Sequence, residues 1–289
     1  MQKIKLSVVL AVKNEESNLE RCLLGIKEIA DEIVIVDEFS KDDTLKIAKK
    51  FEARIFQRKV INNFHENKQL ALEKANGEWI YQLDADEVTT SKLAKEILAV
   101  INMDNEELRL RRPEDMKKWK LFTRHQKAIE KRDGQIGKKT GEIVAFFIPR
   151  INMFLGAPLK YAGVYPDPAI RLVKKGKAFF PAVSVHEIMK IDGEVAWLFN
   201  DMEHFDSPTL RRYLERANRY TSLTAKDFKE KGVSKNLIKL FYYSVTKPIM
   251  VFMKLYLRHK GFKDGIRGFL WSIFSALHFP LAYYKYYTE

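Results

Sequence analysis

The sequence predicts an α/β fold built on a mostly parallel sheet with helices on both faces. Three observations lead there. Short, predominantly apolar runs recur in the first hundred residues (Leu6–Val12, Glu32–Asp37, Trp79–Leu83), as in strands buried on both faces. Helical patterns alternate with these runs across short connections. The chain has 289 residues, 46% of them apolar, enough to bury one large domain with an appendage.

Taken in order, Leu6–Val12 reads as the first strand. Lys3 and Lys5 precede it, but it is too short for a signal peptide. It runs into Lys13-Asn14-Glu15-Glu16 with no small-residue cleavage site. Ser17 to about Ala30 reads as a helix capped by Ser17. Cys22 falls in step with Leu19, Leu23, Ile26 and Ile29 and is expected to be a buried, inert thiol. As the one cysteine it excludes a disulfide within the chain and fits a reducing compartment. Glu32–Asp37 is the second strand, Thr44–Phe51 a helix, Ala53–Gln57 a short strand, and Asn67–Asn76 a helix closed by Gly77. Trp79–Leu83 is a strand entering Asp84-Ala85-Asp86-Glu87. In such sheets ligands bind beyond the carboxyl ends of the strands. Asp37 and Asp84 sit at those ends, with Asn14 just past the first.

From about Asp104 to Thr140 the chain is dense in charge of both signs and reads as helix broken near Pro113. It is either a solvated insertion or, through Trp119, Leu121 and Phe122, a surface for a membrane or an acceptor. Strand character returns at Ile143–Ile148 and Ile170–Val173. A helix is expected from Ser207-Pro208, cap then proline, to near Gly232.

The chain carries 51 Lys and Arg against 38 Asp and Glu, a formal +13, which implies an acidic partner: a phosphate-bearing substrate, an anionic membrane or a nucleic acid. From Lys231 to the end there are ten basic and two acidic residues among many aromatic and aliphatic ones. The uncharged run Phe269–Tyr284 there has 16 residues, short of the roughly 20 a spanning helix needs. The region reads as an in-plane membrane anchor or as a helical hairpin with solvated charges.

Asp84-Ala85-Asp86 is the sharpest chemical feature. Two carboxylates one residue apart after a buried strand can hold Mg²⁺ or Mn²⁺ while substrate phosphates complete the shell. A metal there neutralises a departing diphosphate. Acidic triplets commonly only cap turns, so the weight comes from context.

That context is the order and spacing of LSVVLAVKNEESNLERCL, EIVIVDEFSKDDT and ALEKANGEWIYQLDADE, which resembles the nucleotide-binding half of family 2 glycosyltransferases with the GT-A fold. Downstream, YAGVYPDPAIRLVKKGKAFF, Val185-His186-Glu187 and GFKDGIRGFL resemble the subgroup of lipopolysaccharide-core β-1,4-glucosyltransferases acting on heptose.

The resemblance implies a nucleotide-sugar-binding half over 1–103 and an acceptor-side half over 141–232, flanking the insertion at 104–140. The basic, aromatic region 233–289 would associate with membrane. It implies inverting transfer from a nucleoside-diphosphate donor, UDP-linked, to a lipopolysaccharide-core or other membrane-borne glycan at the cytoplasmic face of the cell membrane. Asp37 would bind the nucleobase with backbone near Val12 and Asn14, and Glu15 would help close the pocket. Ser40 and Asp42 would shape that loop. Asp84 would contact the ribose or a metal-bound water, Ala85 would line the donor site, and Asp86 would ligate the metal. His186 is a further candidate ligand, with His204 weaker. Asp167 is the first candidate base for the acceptor hydroxyl and Glu187 the second. Arg171 is a candidate phosphate contact, or else an ion pair at a domain edge. Lys68 keeps its place on the donor side, but its neighbours Asn67 and Gln69 are exchanged relative to the subgroup. Glu38 and Phe39 replace the usual small residues.

Three rival readings remain at this stage. A nucleic-acid-binding protein would explain the charge, but no zinc spacing, RNA-recognition signature or basic heptad array is present. A nucleotidyltransferase would open with a glycine-rich basic loop where this chain has Lys13-Asn14-Glu15-Glu16. A catalytically silent membrane scaffold is the third.

Overall fold

The structure, a computed structural model, describes residues 4–60, 64–181 and 189–288. The chain divides into two compact units, Met1–Arg150 with Pro168–His204, and Ile151–Asp167 with Phe205–Glu289.

The elements in chain order begin β1 (Leu6–Val12), α1 (Leu19–Leu24), β2 (Glu32–Asp37), α2 (Thr44–Lys50), β3 (Arg54–Gln57), α3 (His65–Lys74) and β4 (Trp79–Leu83). Then come β5 (Glu87–Thr89), α4 (Ser91–Val100), α5 (Asn105–Leu110), α6 (Met116–Asp133), β6 (Ile143–Phe154), β7 (Ala157–Pro158) and β8 (Asp167–Lys174). The short strands β9 (Ala178–Phe179), β10 (Lys190–Ile191) and β11 (Glu194–Trp197) lead to β12 (Met202–Ser207), α7 (Leu210–Glu230), α8 (Leu237–Phe241), α9 (Lys247–Met253) and α10 (Gly265–Thr288).

The main sheet runs β3-β2-β1-β4-β8-β6-β12-β5. Strands β1 to β4 are mutually parallel, with β1 between β2 and β4, and all seven residues of β1 are buried. A strand covered on both faces is largely apolar, which is why these segments read as near-continuous apolar runs rather than as alternation, their few buried polar groups being hydrogen-bonded. The register pairs Val12 with Asp37 and Leu10 with Leu83, so the carboxyl ends of β1, β2 and β4 finish together. β8 runs antiparallel to β4, pairing Leu172 with Tyr81. Glu32, buried at the start of β2, accepts from Ser7 Oγ at 2.5 Å, Asn76 N at 2.9 Å and Asn76 Nδ2 at 2.7 Å, and pairs with Arg54. Gly77 stands where a Cβ would meet Ser7 N at 2.6 Å, so the turn before β4 admits no larger residue.

Several expectations are corrected here. The first helix is only Leu19–Leu24, and its N-cap is Asn18 rather than Ser17. The apolar residues stay buried through Ile29, but beyond Leu24 the chain continues as turns. It passes so close to β5 that a Cβ on Gly25 would meet Thr89 O at 3.0 Å. The helix expected from Ser207 starts two residues later. Ser207 ends β12, and Thr209 is the cap, accepting from Arg212 N at 3.2 Å. The break near Pro113 is present between α5 and α6. Phe122 of α6 is fully buried, stacked on Trp197 with centroids 4.5 Å apart, and Trp119 lies edge-on to Phe199 at 6.1 Å. Phe122 is therefore part of the core, while Trp119 and Leu121 are half-buried.

In the second unit the end of β6 pairs with β7, and α10 packs along α7 and α9. Phe228 of α7 and Tyr283 and Tyr286 of α10 form the centre of a small aromatic core joined by Leu240 and Tyr243. Residues 237–258 are continuously helical, with two π turns at Tyr242–Thr246 and Lys254–Arg258. Among the described residues no helix is long and apolar enough to cross a membrane.

Candidate active site

The loops after β1, β2 and β4 are brought together by the common register of those strands. After β1, Asn14 adopts φ 53°, a conformation asparagine tolerates better than most residues. Its N–H donates to Ser40 Oγ at 2.8 Å, and its Oδ1 accepts from Lys41 N at 2.9 Å. Ser40 Oγ in turn donates to Asp37 Oδ1 at 2.5 Å, and Gln57 Nε2 donates to Asp37 Oδ2 at 3.0 Å. Val12 O accepts from Glu38 N at 2.9 Å. Glu15 N donates to Thr44 Oγ1 at 2.8 Å, while Glu15 Oε2 accepts from Asn18 Nδ2 at 2.8 Å. Asp42 accepts from Glu16 N and from both N and Oγ1 of Thr44. Burial opposes its charge, but these donors together outweigh it and hold its carboxyl below the usual range. The result is a rigid rim around a fully buried Asp37.

After β4 lies a compact ion network. Arg171 Nη2 from β8 is 2.5 Å from Asp84 Oδ2 and 2.6 Å from Glu87 Oε1, and its Nη1 donates to Gln82. Lys68 Nζ from α3 is 2.5 Å from Asp84 Oδ1. Arg150 Nη1 from β6 is 2.9 Å from Glu87 Oε1, and Glu87 Oε2 accepts from Asp84 N at 3.0 Å. Burial pushes against the charge on Asp84, but Arg171 and Lys68 outweigh it and hold the carboxyl well below the usual range. Burial likewise opposes the Arg171 charge, yet Asp84 and Glu87 raise its pKa further.

Asp86 points elsewhere. Its Oδ2 is 3.6 Å from His204 Nε2 on β12, which pairs with β5 through His204 and Glu87. Burial would raise the Asp86 carboxyl, but His204 and then Arg150 lower it. A carboxylate and an imidazole at this spacing suit a divalent metal ion.

A family model described as "Glycosyl transferase family 2" matches residues 7–156, just over half of the chain. The chain belongs to glycosyl transferase family 2. Its mostly parallel sheet with flanking helices is the GT-A arrangement expected of that family. An uncharacterised glycosyltransferase of Rickettsia typhi is 26% identical over 281 residues, covering 94% of this chain and 83% of that one. The lipopolysaccharide core biosynthesis glycosyltransferase LpsC of Rhizobium meliloti is 24% identical over 293 residues, covering 99% of this chain and 93% of that protein. The crystal structure of Staphylococcus aureus TarS residues 1–349 overlaps 98% of this chain and 92% of its own at 13% identity, with a TM-score of 0.41.

Within this family 2 chain, the sequence-derived residues fall into separate groups. Val12, Asn14, Glu15 and Asp37 converge on one rim. Lys68, Asp84 and Arg171 form the ion network, where Arg171 is buried, its two Nη atoms engaged by Gln82, Asp84 and Glu87 and its Nε without a hydrogen-bond partner. Ala85 is buried between the two aspartates. Asp167 opens β8 in the second unit and accepts from Asn152 Nδ2 at 3.3 Å. His186 and Glu187 lie outside the described residues. Sequence reading missed Glu87 and Arg150 and ranked His204 low. A charged residue completing DADE and an arginine within an apolar strand were the available signals, but each needs a partner more than 60 positions away.

Proposed function

We propose that this protein is an inverting glycosyltransferase moving a sugar from a UDP-linked donor to a lipopolysaccharide-core or other membrane-borne glycan at the cytoplasmic face of the cell membrane. The observation that carries the reading is the division of labour after β4: Asp84 is locked by Lys68 and Arg171, while Asp86 faces His204. Family membership and the near full-length similarity to a lipopolysaccharide-core enzyme support it.

Asp37 accepts from the nucleobase, with Val12 and Asn14 backbone beside it, and Glu15 borders the ribose. Ala85 lines the donor pocket. Asp84, held by its two cations, orients the ribose or a metal-bound water, and Arg171 acts by fixing Asp84. Asp86 and His204 hold the divalent cation, Mg²⁺ or Mn²⁺, with His186 as an alternative ligand. When bound, the cation supplies positive charge against the departing diphosphate. Asp167 accepts the acceptor hydroxyl proton as the oxygen attacks the anomeric carbon in line, with Glu187 as the alternative base.

Calorimetric titration of UDP with Mn²⁺ and then EDTA, beside GDP and dTDP, tests this. UDP binding that needs the metal and falls at least about 100-fold in Asp86→Ala is expected. Nucleotide binding indifferent to metal and to Asp86→Ala refutes the assignment.

A further inference from the structure

We propose that one face of the helix formed by residues 237–258 docks in the plane of an anionic lipid bilayer. The inner side of this helix is accounted for: Leu240 and Tyr243 pack on the small aromatic core, with Tyr243 stacked on Tyr283 at 5.0 Å. The outer side carries a row of large apolar side chains, Ile238, Phe241, Val245, Ile249, Met253 and Leu257, each 40–77% exposed.

The spacing of this row is built into the helix. After Phe241 each member lies four residues on. On an uninterrupted α-helix a four-residue step drifts about 40° around the axis, so the row would spiral off its face. The π turns at Tyr242–Thr246 and Lys254–Arg258 have wider turns that counter this drift and keep the row on one side.

Charge selects the occupant. From Lys231 to Lys263 there are eight Lys and Arg and no Asp or Glu. A second copy of the same face would set these cations against their own kind. A bilayer with anionic headgroups offers what the face needs, negative charge at its rim and an apolar interior beneath. Lys239, Lys254 and Arg258 are exposed on the same helix, with stems long enough to reach headgroups while the apolar row is immersed. This inference does not depend on the donor or acceptor chemistry.

The test is flotation of the full chain with vesicles of phosphatidylcholine alone or mixed equally with phosphatidylglycerol. Binding to the anionic vesicles, weakened by salt, is expected. Phe241→Glu/Ile249→Glu/Leu257→Glu should reduce it at least about tenfold. Lys239→Gln/Lys254→Gln/Arg258→Gln should reduce it by about fivefold per charge removed. All these side chains are exposed, so melting temperature and UDP affinity should hold in both variants. No flotation with anionic vesicles overturns the proposal. So does flotation unchanged in both variants, or a fall in oligomer size in the glutamate variant with flotation intact, which would assign the face to a second copy.

Discussion

Glu87→Gln probes the ion network most directly. The Glu87 side chain is fully buried, with Arg150 and Arg171 on Oε1 at 2.9 and 2.6 Å and Asp84 N on Oε2 at 3.0 Å. All three partners are donors, so the carboxylate satisfies them as an acceptor on both oxygens. Glutamine has the same shape but one acceptor. If its oxygen faces the arginines, its NH₂ meets the Asp84 N–H; if reversed, it meets two guanidiniums. Either way a buried donor is left unpaired, costing about 1–3 kcal/mol. The buried Arg171 and the partly buried Arg150 also lose a counter-charge, a change of the kind that costs about 3–5 kcal/mol in full for a buried pair. Because the remaining amide oxygen and Asp84 offset part of this, we expect about 3–4 kcal/mol. For a chain of this size that lowers the melting temperature by roughly 6–10 °C. Scanning calorimetry at neutral pH measures it, with Glu215→Gln as a control at an exposed pair, where a shift near zero is expected. A Glu87→Gln shift within about 1 °C of wild type would refute the reasoning, since no buried network could lose that charge so cheaply.

Two further outcomes are expected. Glu32 is held below its usual range: burial opposes its charge, but Ser7, Asn76 and Arg54 outweigh that. A depressed folded pKa means its stabilisation is complete above the unfolded value of about 4.3 and is lost as pH falls through the folded one. Urea midpoints between pH 6 and 3 should therefore fall less steeply in Glu32→Gln than in wild type, and equal slopes would count against the role. Asp167→Asn should lower kcat by about 100-fold or more with the donor KM nearly unchanged if Asp167 is the base. In single-turnover assays with a competent acceptor, an equal loss in Glu187→Gln and none in Asp167→Asn would transfer the role.

Much was legible in the residues because it is local. A strand covered on both faces is apolar at most positions, so β1, β2 and β4 could be placed to the residue from their near-continuous apolar runs. Proline at 113 cannot continue a helix, and the break is there. The paired aspartates after β4 stood out because a buried strand led into them. What sequence could not separate was their two jobs. Asp84 and Asp86 are chemically alike, and only the approach of Lys68 from α3 and Arg171 from β8 on one side, and of His204 from β12 on the other, leaves one held between two cations and the other facing an imidazole. Those approaches depend on strand order and register across segments far apart in the chain, which no local periodicity encodes. The same holds for the shortened α1, which obeys its helical apolar pattern in burial but yields its backbone to the close passage of β5.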